Sequence, residues 1–251
     1  MLPANLLAFY RFVADRSPLP VIIYNFPQVT GYDMPAELVI ELAQHPNLVG
    51  IKESSGDVEK VRRLVVGTRH IQRSATVTET FEAVTPRMVT AATEGSRELV
   101  SIGALAGSQE SMEAGHPRPA KPSSSSVSVV GGLKTRQKEV GFQVLVGAAH
   151  QVEPSLQAGA VGAILAFADA APTACYEIYA AWKEGDLELS RLKQARIAKA
   201  AQRIVGELGI PGLKYAMDLN GYFGGPARLP LLPVTADAKQ EIEQLMGDIR
   251  N

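Results

Sequence analysis

Four times along this sequence a short apolar run ends at a polar or proline-containing loop and gives way to apolar residues at helical spacing. A buried strand followed by a helix, repeated, builds a parallel sheet covered by helices, so this cadence narrows the fold to the α/β class. The first run, Pro20-Val21-Ile22-Ile23-Tyr24-Asn25, is rich in β-branched residues and is closed by Pro27. Residues 34–44 follow, with Leu38, Val39, Leu42 and Ala43 on one helical face and Pro35 suited to the first turn. Asn47-Leu48-Val49-Gly50-Ile51-Lys52 is the second run, and Ser54-Ser55-Gly56-Asp57 supplies capping groups for a helix reaching about residue 66. The pattern returns with a strand over 142–147 and a helix over 150–158. It returns once more with a strand over 160–167 and a helix over 172–184 that holds the single tryptophan, Trp182. Runs this apolar read as strands buried on both faces.

The remaining segments are helical or irregular. Residues 6–14 place apolar side chains at helical spacing, and Pro18 and Pro20 stop them. Three helices are expected over 187–207, 211–220 and 235–249, with 221–226 as a loop. No G-x-G-x-x-G follows a strand, which removes a dinucleotide-binding sheet and leaves the (β/α)₈ barrel as the better template. Residues 1–68 and 142–185 together carry only four of the eight strands a complete barrel has. Between them, 69–141 is an atypical insertion, and 186–251 is a helical extension. Within the insertion Phe81, Val84 and Met88 share a helical face that Pro86 kinks, while the Pro/Ser-rich stretch 115–126 reads as disordered.

Composition excludes several functions. The net charge is -1 and no Lys/Arg run exceeds two residues, so nucleic acid is not an expected partner. One cysteine, Cys175, allows neither an internal disulfide nor a cysteine-based metal or iron–sulfur site. The four histidines show no metal-site spacing, and neither a metal nor a cofactor is expected. The first residues lack a basic signal-peptide region, and no apolar run approaches the roughly 18 residues of a membrane span, so a cytoplasmic protein without a membrane partner is expected.

The chemistry concentrates at two strand ends. A lysine that forms an imine must be unprotonated near neutrality, and a free lysine with a pKa of about 10.4 is not; its site must lower that value by desolvation or a neighbouring cation. Lys52, at the end of Leu48-Val49-Gly50-Ile51, would lift its amine from a barrel core to the face where the βα loops gather. Tyr24 ends the preceding strand at the equivalent point, where a phenol can relay protons to and from the amine.

Tyr24-Asn25-Phe26-Pro27, Gly50-Ile51-Lys52-Glu53-Ser54-Ser55-Gly56-Asp57, Phe142-Gln143-Val144-Leu145-Val146-Gly147 and Gly159-Ala160-Val161-Gly162-Ala163-Ile164 resemble, in order, successive motifs of the dihydrodipicolinate synthase/N-acetylneuraminate lyase family. The resemblance spans roughly residues 5–68 and 142–250. It implies a TIM barrel with a C-terminal helical extension, here cut to the second half of the barrel, and a homo-oligomer. It also implies a class I lyase or aldolase that takes pyruvate or a pyruvyl keto acid through a Schiff base. By resemblance Lys52 carries the imine, Tyr24 relays protons, and Gly147 and Ile164 line the pyruvyl pocket. The tail from Gly209 to Leu231 is similar to that of 4-hydroxy-2-oxoglutarate aldolase, so the expected activity is of that kind or of the 4-hydroxy-tetrahydrodipicolinate synthase kind. Lys214 and Arg228 within it read as structural, and His150 stands where many members have an acidic residue. The family's threonine-rich loop for the substrate carboxylate, and its second tyrosine, have no counterpart here. The competing expectation is therefore an inactive relative that serves in assembly.

Overall fold

The computed structural model describes residues 2–79, 128–130 and 133–249. They fall into two compact units, Met1–Arg73 with Val140–Asn251, and Ser74–Glu139. In the first unit the elements are α1 (Pro3–Arg16), β1 (Val21–Asn25), α2 (Pro27–Thr30), α3 (Ala36–Leu42), β2 (Leu48–Glu53) and α4 (Val58–Thr68). The chain then forms β3 (Arg73–Glu79), β4 (Ser128–Val130) and β5 (Leu133–Val140). It returns with β6 (Gln143–Val146), α5 (Val152–Gln157), β7 (Gly162–Ala163), α6 (Pro172–Lys183), α7 (Leu187–Ala201), α8 (Gly209–Leu219) and α9 (Ala236–Leu245).

Among the described residues the first unit holds one four-stranded sheet, ordered β1-β2-β6-β7 and parallel at every pairing. The α/β expectation holds in this form. Asp57 opens α4 as its cap, its carboxylate accepting from the backbone N–H of Glu59 and Lys60 at 2.9 and 3.1 Å. One sheet face is covered by helices. Ile23 and Ile51, partners across β1 and β2, lie there fully buried with Val144 and Val146 of β6 and with Val39, Leu42, Val61 and Leu64 of α3 and α4. Each such side chain contributes roughly 1.5–3 kcal/mol by leaving water.

The opposite face departs from the expectation of strands buried on both sides. Ile22 and Tyr24 are each 46% exposed and Ile164 is 45% exposed. Side chains alternate along a strand, so these residues point away from the covering helices, and no described element of this unit packs over them. The last run also differs. Only Gly162 and Ala163 join the ladder of the expected strand 160–167, and residues 166–169 turn into a 3₁₀ helix that buries Phe167 completely. Among the described residues β7 is an edge strand with β6 as its one neighbour.

The C-terminal helices are tied to the sheet layer by polar clamps. The Gln194 side chain accepts from Glu153 N–H at 2.9 Å and donates to the Ala149 carbonyl at 3.1 Å, so α7 satisfies the turn that starts α5. Asn220 Nδ2 donates to the Ala170 carbonyl at 2.7 Å. The expected helix 187–207 is α7 followed by a π-helical segment over Gln202–Glu207, and the expected helices 211–220 and 235–249 are α8 and α9.

The second unit contains a three-stranded sheet ordered β3-β5-β4, with β4 and β5 antiparallel. Gln137 of β5 donates to Thr76 Oγ1 of β3 at 2.6 Å. These strands were not foreseen within the insertion 69–141. The helical face of Phe81, Val84 and Met88 and the Pro/Ser-rich stretch 115–126 lie outside the described residues.

Candidate active site

The parallel register of β1 on β2 sets Tyr24 opposite Lys52. Lys52 is in turn opposite Leu145 of β6, and Leu145 opposite Gly162 of β7, so the four form one row across the open face. The Lys52 ammonium lies over the Tyr24 ring, 4.2 Å from its centroid. At an exposed site such a contact is worth about 0.5–1 kcal/mol. Tyr24 itself stacks on Phe26, with ring centroids 5.4 Å apart and planes 12° from parallel. The amine and phenol expected to work together are therefore neighbours.

One step towards the strand ends, Gly147 follows β6 and Ile164 follows β7. Gly147 N–H donates to the Glu53 carbonyl at 2.7 Å, and Ile164 N–H to the Val146 carbonyl at 2.8 Å. All four residues singled out in the sequence thus gather at the carboxyl ends of the strands, as the barrel template requires. Gly147 admits no side chain without a shift: a Cβ there would stand 1.8 Å from Ser54 Oγ and 2.8 Å from Ser54 Cβ. Ser54 Oγ is buried and has no hydrogen-bond partner among the described residues. His150, in the turn before α5, is partly buried, and that burial pulls its pKa below the ordinary histidine value.

Sequence reasoning missed what lies directly behind the Tyr24–Lys52 pair. The next residues, Asn25 and Glu53, are also partners in register but point to the helix-covered face, where each is 1% exposed. Asn25 Nδ2 donates to both Glu53 oxygens at 2.9 and 3.0 Å and to Asp33 Oδ1 at 2.7 Å. Ser55 N–H donates to Glu53 Oε1 at 2.7 Å. The buried Lys60 ammonium of α4 sits 3.2 Å from Glu53 Oε2 and also pairs with Asp33. Burial pushes the Asp33 pKa up, but hydrogen bonds from Lys60 and Asn25, with the Lys60 charge, outweigh it and hold the carboxyl below its ordinary value. One signal was available: Lys60 stands beside the apolar Val61 and Leu64 on the buried face of α4.

Of the tail residues, Lys214 has a local partner. Lys214 Nζ donates to the Gly224 carbonyl, pinning the loop after α8. Cys175 is buried in α6, and burial pushes its thiol up to about 12. Among the described residues no group of three or more His, Cys, Asp or Glu side chains is placed to hold a metal ion, and no helix is long and apolar enough to cross a membrane.

A parallel sheet with a lysine and a tyrosine side by side at adjacent strand ends defines an α/β protein with a candidate active site at those ends. Comparison with known proteins carries this further: the chain belongs to the Dihydrodipicolinate synthetase family, whose profile matches residues 2–98 and 121–249. It is 24% identical over 243 residues to the 4-hydroxy-tetrahydrodipicolinate synthase of Exiguobacterium sp., covering 97% of this chain and 59% of that protein. It is 26% identical over 245 residues to the L-threo-3-deoxy-hexylosonate aldolase of Aspergillus niger, with coverage of 97% and 59%. A prophage protein of the dihydrodipicolinic acid synthase family from E. coli K12, solved in complex with pyruvate, matches with a TM-score of 0.62 at 21% identity, over 99% of this chain and 62% of that one. That likeness concerns the fold. The chain spans about three fifths of the length of these relatives.

Proposed function

We propose that the chain is a Schiff-base-forming lyase or aldolase acting on pyruvate or a pyruvyl keto acid in the cytoplasm. In this reading Lys52 Nζ attacks the keto carbon, and the carbinolamine loses water to leave the imine. Tyr24 takes and returns the protons of those steps through its phenol. Gly147 and Ile164 line the pocket for the pyruvyl group, Gly147 through its backbone and Ile164 by offering apolar surface. The observation that carries the reading is the Lys52 ammonium 4.2 Å from the Tyr24 ring centroid, both at strand ends within matched family segments. The pyruvate complex of the E. coli relative, and the synthase and aldolase names of the others, support a keto-acid substrate. An activity like that of 4-hydroxy-tetrahydrodipicolinate synthase and one like that of 4-hydroxy-2-oxoglutarate aldolase share this imine step and differ in the partner aldehyde.

The same reading takes β1 and β7 as edges at which further strands complete a barrel, in a homo-oligomer. The exposure of Ile22, Tyr24 and Ile164 supports it, because a barrel interior would enclose them. That exposure also favours a second reading, a catalytically inactive relative that serves in assembly, since an imine-forming amine works best desolvated.

Incubation with pyruvate and borohydride, followed by peptide mass spectrometry, separates the two. The catalytic reading expects a reduced adduct on Lys52 that Lys52→Ala abolishes. No adduct, or one that persists in Lys52→Ala, sinks it and leaves the assembly reading.

A further inference from the structure

We infer that the buried Asn25–Glu53–Lys60 cluster is a positioning device: it fixes the strand ends so that Tyr24 and Lys52 face each other. The inference deepens the imine reading, because it names the residues through which that site is held. Side chains alternate between the two faces along each strand. Tyr24 and Asn25 are consecutive, as are Lys52 and Glu53, so each residue on the open face is followed by one on the covered face. Both consecutive pairs are in register. A turn or slip of either strand end that disturbs Asn25 against Glu53 moves Tyr24 against Lys52 by the same act.

The open face offers little to resist such movement. Lys52 has a flexible four-carbon stem, Tyr24 is half-exposed, and a ring–ammonium contact alone does not select one rotamer. The covered face is the opposite case. The Asn25 amide uses its donors on Glu53 and Asp33, and its oxygen accepts from Met34 N–H at 3.1 Å. The Glu53 carboxylate takes Asn25, Ser55 N–H and Lys60 together. The cluster therefore anchors β1, β2, the start of both following loops and α4 at one point, which the β-ladder does not do where it ends. A buried carboxylate and ammonium with every partner in place tolerate little displacement, since a lost partner leaves a charge unmatched away from water.

The test reads the geometry directly and does not depend on turnover. Reductive ¹³C-methylation of the full-length protein gives Lys52 an NMR signal, assigned by its loss in Lys52→Arg. Seated over the Tyr24 ring face, that signal is expected upfield of the other lysines, and Tyr24→Leu should return it to their range. Glu53→Gln keeps the shape but removes the charge that holds Lys60. Asp33→Asn loosens the cluster at its half-exposed rim and remains informative if Glu53→Gln does not fold. Both folded variants are expected to lose most of the upfield shift. They should also slow borohydride trapping of pyruvate, by tenfold or more for Glu53→Gln and about threefold for Asp33→Asn, with the pyruvate concentration at half-saturation unchanged. Restoring the carboxylate in the double variant Glu53→Asp/Asp33→Asn should recover part of the shift that Glu53→Gln/Asp33→Asn lacks. An unchanged Lys52 signal in folded Glu53→Gln and Asp33→Asn overturns the inference. An absent pyruvate adduct in the unmodified protein overturns the imine reading instead, and the NMR arm still decides the positioning role.

Discussion

Gly147→Ala measures how tightly the end of β6 is seated on the end of β2. The added Cβ would stand 1.8 Å from Ser54 Oγ, 2.8 Å from Ser54 Cβ and 3.1 Å from the Glu53 carbonyl oxygen. The hydroxyl can rotate away, having no hydrogen bond to lose among the described residues. The other two atoms cannot, because the Gly147 N–H to Glu53 carbonyl bond of 2.7 Å holds the backbones together. Overpacking of this kind costs about 1–3 kcal/mol. For a domain of about 150–250 residues each kcal/mol lowers Tm by about 2–4 °C, so a fall of roughly 2–12 °C is expected. Gly162→Ala is the control: its nearest contact, Leu145 Cδ2 at 3.6 Å, is ordinary, and a change within about 0.5 kcal/mol is expected. Thermal and urea unfolding followed by circular dichroism provide the Tm and the free energies. A double-mutant cycle adds the decisive comparison. Ser54→Ala removes only the movable oxygen and should relieve little of the Gly147→Ala cost, whereas Ser54→Gly removes the 2.8 Å clash and should relieve most of it. A Gly147→Ala cost as mild as that of Gly162→Ala, or no relief from Ser54→Gly, refutes this close seating of β6 on β2.

Two further outcomes concern pH. The buried Cys175 thiol, with its pKa raised from 9.0 to about 12, keeps its proton in the folded state after the unfolded chain has lost it; stability should fall above pH 9, by about 2 kcal/mol at pH about 10.5. Cys175→Ala should flatten that alkaline limb in urea titrations, and an equally steep limb in the variant counts against the burial argument. Burial lowers the His150 pKa from 6.5, so as pH falls below that value the unfolded chain takes up the proton first and stability declines towards the lower folded pKa. Thermal melts at about pH 7.5 and about pH 5 should show a smaller acid loss in His150→Gln than in the unmodified chain, and equal losses would exclude the mechanism.

Strands β1 and β2 were legible because Val21, Ile22 and Ile23, and Leu48, Val49 and Ile51, form apolar runs with clear ends, and a parallel pairing of such runs places Tyr24 beside Lys52. Strand β3 carries a weaker signal: Ala75 and Val77 alternate with Ser74 and Thr76, the period-two signature of a half-exposed strand, over only a few residues. Its partner β5, Leu133–Val140, is too polar to announce itself. The cluster behind the site was not legible for a different reason. Asn25 and Glu53 are 28 residues apart and Glu53 and Lys60 lie on different elements, so only the register and the packing of α4 bring them together. Burial on both faces does not hold at Ile22 and Tyr24, because an apolar run records a tendency to be covered, and covering depends on a neighbour.

The pairing of β2 with β6 has a consequence for synthesis. The two strands are hydrogen-bonded neighbours, yet Glu53 and Gln143 are about 90 residues apart along the chain. Loop-closure entropy grows only logarithmically, by about 0.6 kcal/mol per doubling of length, so the finished fold bears this separation easily. A ribosome does not. At roughly 5–20 residues per second, β2 emerges about 5–18 s before the strand that will cover its edge. During that interval Gly50, Ile51 and Lys52 present an unpaired ladder to every other nascent chain nearby. The yield of folded protein should then depend on translation speed and chaperone supply more steeply than its final stability would suggest.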